Sequence, residues 1–309
     1  MRDSKWIAGL SSTMPSVEAA RKVLSARLAT VAHYLPLAAH HPQDDVEYVH
    51  QLRVSTRRAT AAIDIFAAFL ERKIYQAARK QLRRIRRTAG HARDADVFLQ
   101  KMQVELTECA ESGATVLHFL VGLIWQRRID AQGKLREVAE HAFNVSRIVN
   151  AVGEAKDYDT PRRFGRLAAV LVNALVHEFD GALASPTDDV AALHEVRIRG
   201  KQLRYAMEIC SPCFAPAFRE VLYPAVEDAQ EILGDFNDCH NFLNFLDQCR
   251  PGLDLLPPPL REAYYHGVDL LAKKLRNRAD GLRSQFSVWT QRWRELRQAM
   301  PAWLPVDDG

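Results

Sequence analysis

The sequence predicts an all-α fold made of two pseudo-symmetric helical bundles that arise from an internal repeat. Three observations predict it. The 309 residues contain only 14 Gly and 14 Pro and favour Ala, Leu, Arg and Glu over β-branched types. Apolar positions recur three and four apart, and two pairs of matching segments share one constant offset. Ala and straight-chain residues lose little freedom in a helix, while sheets draw on branched and aromatic residues. Hydrophobic residues at 48% and charged residues at 26% describe a globular chain with a sizeable core.

The first helix is predicted over Ser16–Tyr34, where Val17, Ala20, Val23, Leu24, Leu28 and Val31 form one stripe before Pro36 and Pro42 interrupt it. A second follows over Asp45–Leu70 with an acidic start. A third covers Ile74–Ala89 and stops at Gly90, and a fourth runs from Asp94 to Leu106. Ala114–Phe143 reads as a long helix despite Gly122 and Gly133, and Asn144–Pro161 as a weakly patterned connection with room for a short helix. Arg162–Leu183 is helical again, and Gly181–Asp189 punctuates the chain. Helices then follow over Val190–Cys210, over Ala217–Leu233 with a stop at Gly234, and over Asp238–Gln248. Pro251–Pro259 is the strongest breaker, and Leu260–Arg297 gives one or two further helices.

The repeat is carried by two matches. His50-Gln-Leu-Arg53-Val54 aligns with His194-Glu-Val-Arg197-Ile198, an offset of 194 − 50 = 144. Gly90-His-Ala-Arg93-Asp94 aligns with Gly234-Asp-Phe-Asn237-Asp238, again 234 − 90 = 144. A shared offset across forty residues implies that helix and turn lengths are kept in both halves. The chain is therefore divided into an N-terminal half, 1–185, and a C-terminal half, 186–309.

The global charge of +4 is modest, but its distribution is not. From His50 to Arg93 there are twelve Lys or Arg residues against two acids, Asp64 and Glu71. At about 100° per residue, His194, Arg197, Lys201 and Arg204 share one face about 80° wide, as do His50, Arg53 and Arg57. Arg79, Arg83, Arg86 and Arg87 form a further face, with Lys80 and Arg84 turned away. Like charges at this spacing repel, so each row needs either interleaved acids or an external anion. Acids are nearly absent around the first rows; the second half has Glu195, Glu208, Glu227, Asp228 and Glu231. A row of ten residues is about 15 Å long. That length suits a repeated polyphosphate-like chain better than one small metabolite. A nucleic-acid backbone would also suit the charge, although no exposed aromatic ladder or zinc-finger spacing suggests base reading.

Asp94 and Asp238 admit three readings: helix capping, pairing with the Arg rows so as to orient their guanidiniums, or Mg²⁺ ligation. No HExxH, GxSxG or phosphate-binding Gly-Lys-Ser/Thr loop occurs, and no nucleophile is spaced against a base. No catalytic residue, metal or cofactor is expected. Five cysteines at unrelated spacings, including the pair Cys210 and Cys213, read as free thiols in a reducing compartment. No apolar run is long enough for a membrane span and no secretory leader is evident, so a cytoplasmic location is expected.

These motifs resemble the CHAD family, the conserved histidine α-helical domain. The residues that carry the resemblance are His50-x-x-Arg53-Val54-x-x-Arg57-Arg58, His194-x-x-Arg197-Ile198-x-x-Lys201-x-Leu203-Arg204-Tyr205, Gly90-x-x-Arg93-Asp94 and Leu233-Gly234-x-x-Asn237-Asp238. The likeness spans roughly residues 15–300 as one domain. It implies paired helical bundles that bind inorganic polyphosphate in a basic groove or pore, without catalysis, and an association with polyphosphate granules. By resemblance, His50, Arg53, Arg57, Arg58, His194, Arg197, Lys201 and Arg204 line the polyphosphate path. Arg79, Arg83, Arg86 and Arg87 extend it, and Lys274 and Arg276 contribute from the C-terminal helices. Three positions depart from the repeat: Thr60 matches Arg204, Gln202 matches Arg58, and Glu227 matches Arg83. The alternatives are a metal-dependent polyphosphate or phosphoester hydrolase using Asp94, Asp238 and the histidines, and a scaffold for nucleic acid or an acidic protein.

Overall fold

A computed structural model describes residues 5–108, 111–141, 143–153, 161–185 and 189–299, the side chains of 111–113 excepted. Cys109 and parts of the two expected connections, 154–160 and 186–188, lie outside the described residues. The fold is all-α, with no strand among the described residues. The helices are α1 (Ser16–His40), α2 (Glu47–Ile65), α3 (Arg72–Glu108), α4 (Glu111–Ala139), α5 (Val145–Asn150), α6 (Phe164–Leu183), α7 (Val190–Cys210), α8 (Tyr223–Leu253) and α9 (Pro258–Ala299). Among the described residues no helix is long and apolar enough to cross a membrane.

Apolar periodicity locates these helices well, and α7 has the expected bounds, opened by Asp189, whose Oδ1 accepts from Ala191 N at 2.9 Å. Three expected breakers, Pro36, Gly90 and Gly234, lie inside helices. Helix α1 continues through Pro36 because Leu35, Ala38 and Ala39 are buried. A proline inside a helix costs roughly 3 kcal/mol, and tertiary contacts offset it here. Gln132 Nε2 on α4 donates to Ala38 O at 3.0 Å and Ala39 O at 2.7 Å, satisfying the last turn. Gly90 and Gly234 do not stop helices: α3 and α8 run straight through them. A helical glycine costs only about 1 kcal/mol against Ala, and the buried Ala89, Ala92 and Ala95 keep α3 packed across that point. Asp94 and Asp238 therefore lie inside helices and cap nothing.

Helices pack in the same order in each half: α1 on α2, α2 on α3 and α3 on α4, then α6 on α7, α7 on α8 and α8 on α9. The halves meet where α2 packs on α7 and α4 on α9. Their apolar core is continuous, with Phe98 of α3 stacked on Phe242 of α8 at 4.5 Å between ring centroids. At α7 a close approach is required: a Cβ at Gly200 would overlap Gln230 and Phe179, so glycine lets α7 settle against α6 and α8.

A buried charge cluster ties the halves together. Glu208 on α7 is 1% exposed. It accepts from Arg58 Nε at 2.7 Å, from Tyr223 OH at 3.1 Å and from Arg27 Nη2 at 3.4 Å. Those partners come from α2, α8 and α1, so one carboxylate fixes the seat of α2 on α7.

Candidate functional site

Helices α2, α3 and α7 enclose a cavity of about 850 Å³. Each helix turns one flank to it because its opposite flank is apolar and buried: Leu52, Ala59 and Ile63 on α2, Leu82, Ile85 and Ala89 on α3, Val196 and Leu203 on α7. What remains for the cavity wall is the cationic flank. Arg53 and Arg57 come from α2, Arg79, Lys80, Arg83, Arg86 and Arg87 from α3, and Arg197 and Lys201 from α7. His91 and His194 stand beside them, and the lining acids are Asp64 and Asp94. Nine cations against two carboxylates is a formal excess of +7.

Helices α2 and α3 run antiparallel, which places one ion pair at each end. Arg53 Nη1 donates to Asp94 Oδ1 at 2.6 Å and to Gly90 O at 3.2 Å. At the other end, Arg79 Nε lies 3.0 Å from Asp64 Oδ1, which also accepts from Tyr75 OH at 3.0 Å. Arg57, Lys80, Arg83, Arg86, Arg87, Arg197 and Lys201 form no ion pair among the described residues.

Their electrostatics reflect this. Burial, then the neighbouring Arg57, pulls Arg197 down to about 10. Burial and the positive charges of Arg57, Arg197, Arg53 and Arg204 push Lys201 down to about 5. Burial lowers Arg57 and Arg86 too, and Arg83 adds to the effect on Arg86. Arg197 Nε is buried without a hydrogen-bond partner, a condition rare in folded proteins because each such donor loses its water. An anion entering the cavity would relieve all of these at once.

The structure brings together Arg53, Arg57, Arg79, Arg83, Arg86, Arg87, His194, Arg197 and Lys201, with Asp94 as the orienting partner of Arg53. Six expected residues lie elsewhere. Arg58 points away from the cavity to the buried Glu208. Arg204 lies over the Tyr205 ring at 5.0 Å and 3.7 Å from Glu227. His50 is half-buried on the first turn of α2, lowered by burial and by Arg93. Asp238 acts on Arg197 through its charge and does not line the wall. Lys274 on α9 pairs with Glu105 at 2.7 Å, and Arg276 is exposed on the same helix, which contributes nothing to the wall.

Other lining residues were missed. Lys80 lines the cavity although the expected face excludes it, since at about 100° per residue it falls only about 20° beyond Arg87. Asp64, Tyr75, His91 and Tyr205 also line it. Asp64 had a signal, as one of two acids in the basic stretch. The buried Tyr205 hydroxyl accepts from Arg204 Nη2 at 3.4 Å and meets Arg57, so it joins the two.

A family model for the CHAD domain matches residues 22–247 of this chain. Among solved structures, the chain is similar to the CHAD domain from the plant Ricinus communis. That match has a TM-score of 0.64 and 20% identity over 90% of this chain and 95% of the other. It is also similar to PptA from Streptomyces chartreusis, with a TM-score of 0.66 and 18% identity over 90% of this chain and all of the other, 100%. A comparison with curated proteins found no match.

Proposed function

The chain belongs to the CHAD domain family, and from that premise we propose that it binds inorganic polyphosphate, without catalysis, in the cavity between α2, α3 and α7. One observation carries the reading: seven of the nine lining cations have no carboxylate partner among the described residues. An isolated protein surface gains nothing from holding unpaired like charges together, and a polyanion with evenly spaced charges satisfies them. Arg57, Arg83, Arg86, Arg87 and Arg197 offer planar donor forks to phosphate oxygens, Lys80 acts as a compact point charge, and Lys201 becomes one when the bound polyanion favours its protonated form. Asp94 holds Arg53 in place, and Glu208 holds α2 on α7, so the wall is set before the ligand arrives. Both lining carboxylates are engaged by arginines, which suits orientation rather than turnover. A cytoplasmic place on polyphosphate granules belongs to the same proposal.

Competition binding tests it. Long-chain polyphosphate is expected to displace a labelled polyphosphate at physiological salt while duplex DNA does not. Log affinity against log salt should fall with a slope of about −5, taking seven contacts and the behaviour of single-stranded polyanions. Chain length should stay unchanged on incubation with Mg²⁺ or Mn²⁺. Equal or tighter binding of DNA, or sustained shortening that Asp94→Ala abolishes, would overturn the proposal.

A further inference from the structure

The two ion pairs in the cavity occupy opposite ends of it. Arg79 and Asp64, joined by the Tyr75 hydroxyl, stand where α3 begins and α2 ends. Arg53 and Asp94 stand where α2 begins and α3 is well advanced. Helical rise puts the two pairs about 16 Å apart along α2 and about 22 Å apart along α3. The unpaired cations of the two helices fall between them in register, Arg57 on α2 and Lys80, Arg83, Arg86 and Arg87 on α3, while Arg197 and Lys201 of α7 lie close enough to Arg57 and Arg53 to feel their charge.

An ionised carboxylate is an acceptor only. Within a cationic wall it neutralises its arginine and repels a phosphate that comes alongside. Each pair thus removes the gain that a further phosphate would make at that point. The wall attracts strongly in its middle and weakly at both ends.

We propose that Asp64 and Asp94 set the length of polyphosphate this cavity reads, so that affinity rises with chain length only until the segment between the two ion pairs is filled. The proposal rests on the polyphosphate reading above and names the residues that bound the site. Asp64 is the better handle, since it is exposed and its polar side-chain partners among the described residues are Tyr75 and Arg79. Replacing it frees Arg79 for a phosphate without disturbing the buried Glu208 cluster.

The test is a calorimetric titration with linear polyphosphates of graded length, with affinity corrected for the registers that a longer chain offers. Wild-type affinity and salt slope should rise from triphosphate to about seven phosphates, matching the unpaired cations, and then level off. For Asp64→Asn the gain should grow with chain length and be smaller for triphosphate than for longer chains. The variant should bind chains beyond the plateau about fivefold tighter, the gain of roughly one newly available ion pair. A corrected affinity that climbs more than tenfold past the plateau, or an Asp64→Asn variant with wild-type affinity for long chains, would overturn the proposal. Absence of binding at every length would instead overturn the polyphosphate reading, so the two failures are distinguishable.

Discussion

Helices α3 and α8 carry sequence-matched positions 144 residues apart, yet one is a cationic wall and the other a packing surface. Arg79, Arg83, Arg86 and Arg87 on α3 correspond to Tyr223, Glu227, Gln230 and Glu231 on α8. The first four line the cavity. Of the second four, Tyr223 and Gln230 are buried, and Glu227 lies 3.2 Å from Lys5 and 3.7 Å from Arg204. An N-terminal segment closes over that region: Trp6 packs on Tyr223 at 4.9 Å, and Arg219 lies 4.1 Å above the Trp6 ring. The rows on α2 and α7 diverge in the same sense. Arg53 and Arg57 both face the cavity, whereas Arg204 is drawn off by Glu227 and Tyr205. The difference teaches that matched positions in sequence can carry basic residues in both stretches while local acids decide which of them stay unpaired.

The largest effect should fall on the joint between the halves. Glu208→Ala would remove the buried carboxylate that Arg58, Arg27 and Tyr223 share, and breaking such a buried pair costs about 3–5 kcal/mol. Urea unfolding is expected to show that loss, while Glu231→Ala on the exposed flank of α8 leaves stability near wild type. An equal loss from both would erase the distinction drawn between a buried lock and a surface acid.

Next comes the cationic wall itself. Arg83→Ala, Arg86→Ala and Arg87→Ala combined should weaken polyphosphate binding on the order of 100-fold, at about 1 kcal/mol for each solvent-accessible ion pair. Glu231→Ala, at the position matching Arg87, should change it less than twofold. Comparable effects would mean that both helices serve the ligand.

A smaller, pH-dependent effect separates α7 from α2. Lys201 is held down to about 5 in the unliganded protein. Above that pH it is neutral, and a bound polyanion favours its protonated form. Binding therefore takes up a proton, and affinity should fall as pH rises from about 6 to 8, by at most about tenfold per unit. The same depression affects stability: between about 5 and the usual 10.5 the unfolded chain holds one more proton, so stability should rise with pH across that window. Lys201→Arg, which stays charged, should flatten the binding profile. A wild-type profile as flat as that of the variant would remove Lys201 from the account.

The helices were legible because burial writes its period into the chain, as in α7, where Leu193, Val196 and Leu203 recur at helical spacing. Gly90 and Gly234 misled because a propensity of about 1 kcal/mol was weighed without the packing that overrides it. Among the site residues, Arg57 and Arg58 show the limit most clearly. They are adjacent in a basic run, but one faces the cavity and the other a carboxylate 150 positions away. Periodicity gives the angle between side chains on one helix and is silent about which neighbour each meets. Arg204 was misplaced for the same reason, since Glu227 and Tyr223 reach it from another helix. Lys274 and Arg276 had no periodic partner in the repeat and rested on resemblance alone.

The most direct test of the central claim is a structure of the protein with polyphosphate bound. Phosphate groups are expected along α3 between Asp64 and Asp94, within hydrogen-bonding distance of Arg57, Arg83, Arg86 and Arg197. Phosphates seated instead along α9 by Arg276, or beside Arg204 and Glu227 at the start of α8, would contradict it.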